Sequence, residues 1–281
     1  MKILLLITGI FVSCTLQAQD FVIYGFIPWR YYKENNEIIK ARNINQQLYH
    51  NGMKPIKVLY HSQLLTSDNR ADTGKIKQVA LDSQKEPDIP ISFDIELGHR
   101  YKPETKLPLL MESLSLYHKF NGKAAVGVYS VLPQNPVGGQ RLLGEKGKAL
   151  QHKLIELNKQ YQVLATQVDI LSPVLYNYEG HDFELWKRAA KFLMDQAKIY
   201  AKNKKIIPYI APYVTDSTYV SPNKYVVQLL SYEEMMQRLT YLKQQGANGV
   251  IIWSGSSRTD KNNQPLVFDV SQGWAKAVKE F

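Results

Sequence analysis

Seven short runs of apolar, β-branched and aromatic residues, each bounded by turn formers, recur along the chain at residues 21–27, 56–61, 91–96, 124–129, 169–176, 205–214 and 249–253. Most are nearly continuous apolar segments instead of strict alternations, the pattern of parallel strands covered on both faces. Between them the period changes to 3.6. Trp186, Ala189, Ala190, Leu193, Ala197 and Tyr200 fall on one face of a helix predicted over 181–202. Leu150, Leu154, Leu157 and Tyr161 mark a second. Leu107, Leu110, Met111, Leu114 and Tyr117 mark a third, closed by Asn121-Gly122. Ser231 and Glu234 have capping-box spacing and open a fourth, which carries Met235, Leu239 and Leu242 and stops near Gly246. The stretch 64–90 is polar and turn-rich, and any helix in it is expected to be short or irregular.

Regular strand, helix, strand alternation implies right-handed crossovers and a parallel sheet. Seven such units in about 250 residues fit an α/β fold of TIM-like (β/α) barrel type, distorted, with about seven parallel strands. A doubly wound open sheet is the alternative. Neither G-x-G-x-x-G nor G-x-x-x-x-G-K-[ST] follows any strand, which argues against nucleotide binding. No linker or short repeat divides the chain, so residues 19–281 are expected to form one barrel domain.

Composition adds a compartment and a charge. The first 18 residues, MKILLLITGIFVSCTLQA, place one Lys before an apolar run too short to span a bilayer and read as a signal peptide cleaved after Ala18. A secreted or periplasmic protein is expected. The alternative is lipoprotein tethering through Cys14, although Phe11 fits a lipobox poorly. With cleavage after Ala18 the only cysteine, Cys14, leaves with the signal, and the mature chain is then expected to have no disulfide, thiolate metal site or Cys nucleophile. No later stretch is a transmembrane segment. The 281 residues carry a formal charge of +10, which favours anionic partners. The basic residues are scattered, and nucleic acid is not expected.

Chemistry in a parallel barrel gathers where the strands end. The third run finishes Ser92-Phe93-Asp94-Ile95-Glu96, and strand alternation puts Asp94 and Glu96 on one face. Two neighbouring carboxyls resist simultaneous ionisation, so one can hold a proton near neutral pH, as glycoside cleavage requires. Tyr24, Tyr129, Tyr176, Tyr213 and Trp253 stand at other strand ends, and aromatic planes of this kind suit the C–H faces of sugar rings. His61, His99 and His181 have no zinc-ligand spacing, H-E-x-x-H is absent, and Ser254 and Ser256 form no nucleophile elbow. No metal and no cofactor are expected.

These segments resemble the hyaluronidase family of glycosidases. The run 91–96 is similar to that family's third-strand end, where Asp-x-Glu carries the proton donor, and Gly127-Val128-Tyr129 to its Tyr-bearing fourth strand. Leu171-Ser172-Pro173-Val174-Leu175-Tyr176 resembles its Leu-Pro-Ser-x-Tyr stretch. Gly246-Ala247-Asn248-Gly249-Val250-Ile251-Ile252-Trp253-Ser254-Gly255-Ser256-Ser257 resembles its Gly-Gly-x-Gly-Ile-Ile-Ile-Trp-Gly-Ser-Ser-Ser segment. The resemblance implies a distorted seven-stranded barrel and a retaining mechanism without an enzyme nucleophile. In it the substrate's N-acetyl oxygen attacks the anomeric carbon, Glu96 donates and later recovers a proton, and Asp94 with Tyr176 orients the acetamido group. Tyr129 and Trp253 would line the sugar subsite. The segment after the acid, Leu97-Gly98-His99-Arg100-Tyr101, departs from the family's Trp-Arg-Pro.

The expected function is therefore hydrolysis of an N-acetylhexosamine-containing polysaccharide, of the hyaluronan or chondroitin kind. A carbohydrate-binding barrel without catalysis and a chitinase-like glycosidase are the alternatives.

Overall fold

The computed structural model describes residues 21–221 and 224–281, with the backbone only for 216–221, 224 and 225. The expected signal peptide, including Cys14, lies outside the described residues. Seven parallel strand positions form the ring: β1 (Val22–Phe26), β2 (Lys54–Pro55 and Lys57–Tyr60), β3 (Ile91–Asp94), β4 (Val126–Tyr129), β5 (Ile170–Ser172), β6 (Lys205–Ile206 and Tyr209–Ile210) and β7 (Gly249–Trp253). Each pairs with the next, and β7 returns to β1 over five residues, from Val22 opposite Gly249 to Phe26 opposite Trp253. The architecture is the expected (β/α) barrel.

The distortion sits at β2 and β6. The first piece of β2 pairs with β1 and the second with β3. In β6, Pro208 brings no N–H to the ladder, yet its carbonyl accepts from Ile251 N at 2.8 Å, while Tyr209 N donates to Pro173 O at 2.8 Å. The apolar run 205–214 thus folds as two short barrel pieces, and its last residues start a different element.

A helix follows each strand: α1 (Asn45–His50), α2 (Thr73–Lys85), α3 (Pro103–Lys119), α4 (Gly144–Tyr161), α5 (Phe183–Ala201), α6 (Tyr232–Gln244) and α7 (Gly273–Glu280). Local chemistry sets their ends. The Ser231/Glu234 box is made, with Glu234 N donating to Ser231 Oγ at 3.1 Å and Ser231 N to Glu234 Oε2 at 2.7 Å. Asp182 caps α5 by accepting from Leu185 N at 2.9 Å. In the polar stretch 64–90, where irregularity was expected, Asp72 caps the regular 13-residue α2. Its buried stripe is only Ile76, Ala80 and Ser83, which is why its period is faint. No helix among the described residues is long and apolar enough to cross a membrane.

Strand parity divides the core in two. Ile23, Phe93, Val126, Val128, Val250 and Ile252 face outward into the large layer between sheet and helices. Tyr24, Ile56, Ile170, Val174, Ile207, Tyr209 and Ile251 fill the barrel interior.

Two accessory sheets rise from the ends where strands finish. A hairpin pairs Tyr31–Glu34 with Glu37–Lys40 around Asn35 and Asn36, both at positive φ as a tight hairpin turn requires, and Val267–Phe268 joins its edge. The second pairs Tyr213–Ser221 with Lys224–Leu229, flanked by Arg258–Thr259.

Closure of the ring leaves little room at Gly249, where an added Cβ would lie 2.0 Å from the Val22 carbonyl oxygen of β1. Gly249→Ala is expected to push β7 away from β1 and destabilise the fold by about 1–3 kcal/mol or more, read from the denaturation midpoint.

Candidate active site

Parity and height together select what reaches the mouth. Along β7, Ile251 and Trp253 face inward, and Trp253 is the last residue of the strand. Asp94 is likewise the last residue of β3 and Tyr129 of β4. Glu96 lies two residues beyond β3 on the same face, and Tyr176 continues the inward series of β5 past its end. A cleft of about 500 Å³ opens there, lined by Asp94, Glu96, Tyr129, Tyr176, Tyr213 and Trp253, together with Tyr60, Asn177, Tyr178, Ala211, Thr215 and Arg258. Its size is that of a ligand pocket.

Tyr24 is not in this cleft. Its face is correct but its height is wrong: it pairs with Ile251, one inward layer below the Phe26 and Trp253 pair, and is 9% exposed in the barrel interior. The other six candidates from the sequence are brought together. Tyr60 was missed although it ends β2 by the same rule. Arg258, from the loop after β7, gave no signal in the sequence.

The aromatic walls are packed against one another. The Tyr176 ring stacks on Trp253 with centroids 5.6 Å apart and planes 24° apart, and lies 6.4 Å from Tyr129. Tyr129 meets the buried Tyr209 edge-on at 5.1 Å. The Tyr176 hydroxyl is buried next to that of Tyr129, and burial raises its pKa well above the ordinary tyrosine value. Burial also raises those of Tyr129 and Tyr209, so these phenols stay protonated at neutral pH.

The two acids occupy different surroundings. Asp94 is 7% exposed, and its Oδ1 is buried without a hydrogen-bond partner. Burial, and after it the charge of Glu96, pushes its carboxyl up to about 7, against the opposing pull of Lys106. Glu96 is exposed at the cleft. Lys106, on α3, is itself drawn below the usual lysine range by burial, while the charges of Glu96 and Asp94 hold it up. Asp94 can therefore hold a proton close to neutral pH. Behind Glu96 the chain turns at Gly98, where φ is +80° and a Cβ would sit 2.5 Å from Thr105 O; His99 N then donates to Thr105 Oγ1 at 2.9 Å. The 97–101 segment is thereby fastened onto α3.

The Tyr176 wall is anchored from outside the barrel. Asn177 Nδ2 donates to Ala211 O at 3.1 Å and Tyr213 O at 2.7 Å, and its Oδ1 accepts from Arg238 Nε at 2.8 Å. Arg238, on α6, is fully buried, lies 5.3 Å from the Trp186 ring and donates to Glu234 O at 3.0 Å. Burial pushes its guanidinium down to about 10, so it remains charged at neutral pH. His181 contacts Glu234 and lies 3.2 Å from Gln228 Oε1. Trp29 Nε1 donates to Ser254 Oγ at 2.8 Å and fixes the start of the loop after β7. No group of three or more His, Cys, Asp or Glu able to hold a metal ion occurs among the described residues.

No family model matches the sequence, and no curated protein matches it. Solved structures do. Bee venom hyaluronidase aligns with a TM-score of 0.57 at 14% identity, covering 92% of this chain and 100% of that one. The spore cortex-lytic enzyme SleL of Bacillus cereus aligns at 0.49 and 11% identity over 93% and 74% of the two chains. A class V chitinase from Pseudomonas fluorescens aligns at 0.47 and 11% identity over 93% and 92%. At 14% identity, the likeness to bee venom hyaluronidase establishes the architecture: the chain is built on the same barrel fold.

Proposed function

We propose that the protein is a glycoside hydrolase that cleaves a polysaccharide at N-acetylhexosamine residues, by a retaining reaction in which the substrate's own acetamido oxygen is the nucleophile. The observation that carries this reading is the pairing, in one cleft, of a buried carboxyl with a raised pKa and an exposed one with a wall of stacked aromatic rings.

Cleavage begins when the acetamido carbonyl oxygen forms a bond to the anomeric carbon as the glycosidic C–O bond breaks. Glu96, in its acid form, delivers a proton to the leaving oxygen. Water then attacks the anomeric carbon, the bond to the acetamido oxygen breaks, and the water's proton returns to Glu96. Such hydrolases need one proton-donating acid rather than two carboxylates in separate roles. Asp94, with its carboxyl pushed up to about 7 by burial, supplies from its protonated form a hydrogen bond to Glu96 or to the acetamido group. The Tyr176 hydroxyl, buried in the cleft wall beside Tyr129, faces the same group. Tyr129 and Trp253 bound the space for the sugar ring.

One observation favours a second reading. Glu96 accepts no hydrogen bond among the described residues, and the segment after it differs from the hyaluronidase pattern, as in a barrel that binds glycans without cleaving them. Defined oligosaccharides separate the two. Glu96→Gln is expected to lower turnover by about 10²–10⁴-fold with folding intact; binding by the wild type with no product would instead select the binding barrel.

The protonation of Asp94 has a consequence for stability. Its folded-state carboxyl lies above the ordinary value of 3.8, at about 7, so its environment costs nothing below pH 3.8, destabilises the fold increasingly from there up to about pH 7, and costs a constant amount above that. Asp94→Asn, which cannot ionise, is expected to gain stability relative to wild type between pH 4 and pH 8. The gain is on the order of 3–4 kcal/mol, at about 1.4 kcal/mol per unit, and is measured by denaturation at both pH values. A difference independent of pH would remove the buried-acid assignment.

A further inference from the structure

The end of the barrel opposite the catalytic cleft has a charge pattern of its own. The barrel strands start there and the helices between them finish there, so the helix-to-strand connections form its rim. Four neighbouring connections, residues 118–125, 159–169, 198–205 and 243–248, contain eight lysines, no arginine and one carboxylate, Asp169. Lys159 is paired with Glu156, and Lys198 lies 4.0 Å from Asp195. The other six, Lys119, Lys123, Lys202, Lys204, Lys205 and Lys243, have no carboxylate within salt-bridge distance among the described residues. All but the half-exposed Lys204 are exposed. At the mouth, by contrast, the loops intersperse both signs, as in Lys33 and Glu34, Asp68 and Arg70, or Asp260 and Lys261.

The helix macrodipole accounts for part of this excess. A lysine in a last helical turn complements it, as Lys119 does on α3 and Lys243 on α6. Lys123, Lys202 and Lys204 lie past the helix ends, however, and Lys205 opens a strand.

The fold gathers these lysines onto one surface. His118 Nε2 lies 2.8 Å from Gln167 O, which joins the first connection to the second. Lys205 N donates to Asp169 O at 3.2 Å and Asn248 N to Ile206 O at 2.9 Å, which join the second to the third and the third to the fourth. The Lys243 ammonium lies 5.0 Å from the Phe281 ring centroid, and Phe281 meets Phe21 edge-on at 5.2 Å, so the chain enters the fold beside the fourth. Two aliphatic side chains stand among the cations: Val163 in the second connection and Ile199 in the third, 41% and 61% exposed.

Lysine ammoniums are mobile point charges, suited to a diffuse anionic surface more than to paired recognition of a single group. Aliphatic tips between them gain nothing from a nucleic acid or a soluble polyanion. They fit a bilayer interface, where apolar side chains sink to the acyl boundary while lysines stay among the headgroups. We propose that this end of the barrel docks onto an anionic lipid bilayer, with the cleft facing away from it. The chain before Phe21 agrees with that orientation. An acyl anchor at Cys14, the alternative drawn from the sequence, would be joined to Phe21 by about 25 Å of fully extended chain, which keeps this end nearest the membrane. The docking is independent of whether the cleft cleaves a glycan.

The test is co-sedimentation of the full chain with vesicles of phosphatidylcholine alone or with about one third phosphatidylglycerol. One variant carries Lys119→Gln, Lys123→Gln, Lys202→Gln, Lys204→Gln, Lys205→Gln and Lys243→Gln; the other carries Val163→Ser and Ile199→Ser. The apolar leader is common to all chains, and its own contribution is read from the neutral vesicles. The wild type is expected to partition about tenfold or more better onto the anionic vesicles, with a preference that falls as salt rises. The lysine variant is expected to lose about tenfold on anionic vesicles and to stay within about twofold on neutral ones. The serine variant is expected to lose about threefold on anionic vesicles while binding soluble polyphosphate as the wild type does. Denaturation midpoints establish that the variants fold; if the sixfold variant does not, Lys202→Gln, Lys204→Gln and Lys205→Gln alone carry the test, with a loss of about fivefold. No preference for the anionic vesicles, or a folded lysine variant that partitions like the wild type, would overturn the proposal. A serine variant that binds vesicles unchanged would also overturn it, by reducing the surface to a soluble-polyanion site.

Discussion

The structure depends on the return of the last barrel strand to the first. Five residues of β7 lie in parallel register with five of β1, and only because Gly249 has no side chain can the two backbones approach at the bottom of that seam. Once the ring is closed, alternation along each strand has a fixed meaning: one parity faces the helices and the other faces a common axis. The acids of the third strand and the aromatic residues of the fourth, fifth and seventh meet because closure points their inward series at the same opening. An open sheet with the same residues would hold them in a row.

The interior they cap is not uniformly apolar. Ser92, Ser172 and Tyr209 bring buried hydroxyls into it. Among isoleucines and tyrosines, an ionised Asp94 loses most of its hydration, and Glu96 adds its charge to the penalty. The raised pKa of Asp94 is thus a product of position: the last residue of a strand is deep enough to be dry, and the residue two further along is shallow enough to be wet. Two adjacent inward positions acquire different chemistry from one step in height.

Much of this was legible in the amino-acid pattern, and the failures have physical reasons. Strands buried on both sides announce themselves as apolar runs, so seven were readable, and parity correctly grouped Asp94 with Glu96. Parity gives a face and not a depth, however. Tyr24 shares the inward face of Phe26 but lies one layer lower, and nothing local distinguishes the two. The helix Thr73–Lys85 was obscured because only three of its residues are buried and its exposed surface is polar. The hairpin from Tyr31 to Lys40 is partly solvated on both faces, so it lacks the apolar signature of a barrel strand. Arg258 reaches the cleft from a loop with no periodicity to read.

Asn177 ties the aromatic side of the mouth to Arg238, a charged side chain sealed between two outer helices. A guanidinium in that setting cannot be shortened or neutralised without leaving polar groups stranded on both sides of it. The outer helix Tyr232–Gln244 and the inner loop that bears Tyr176 are consequently bound to change as a pair. Divergence that reshapes the opening near Tyr176 has to be matched on the molecule's periphery, whereas the hairpin from Tyr31 to Lys40 is free of that obligation and can vary at its own pace.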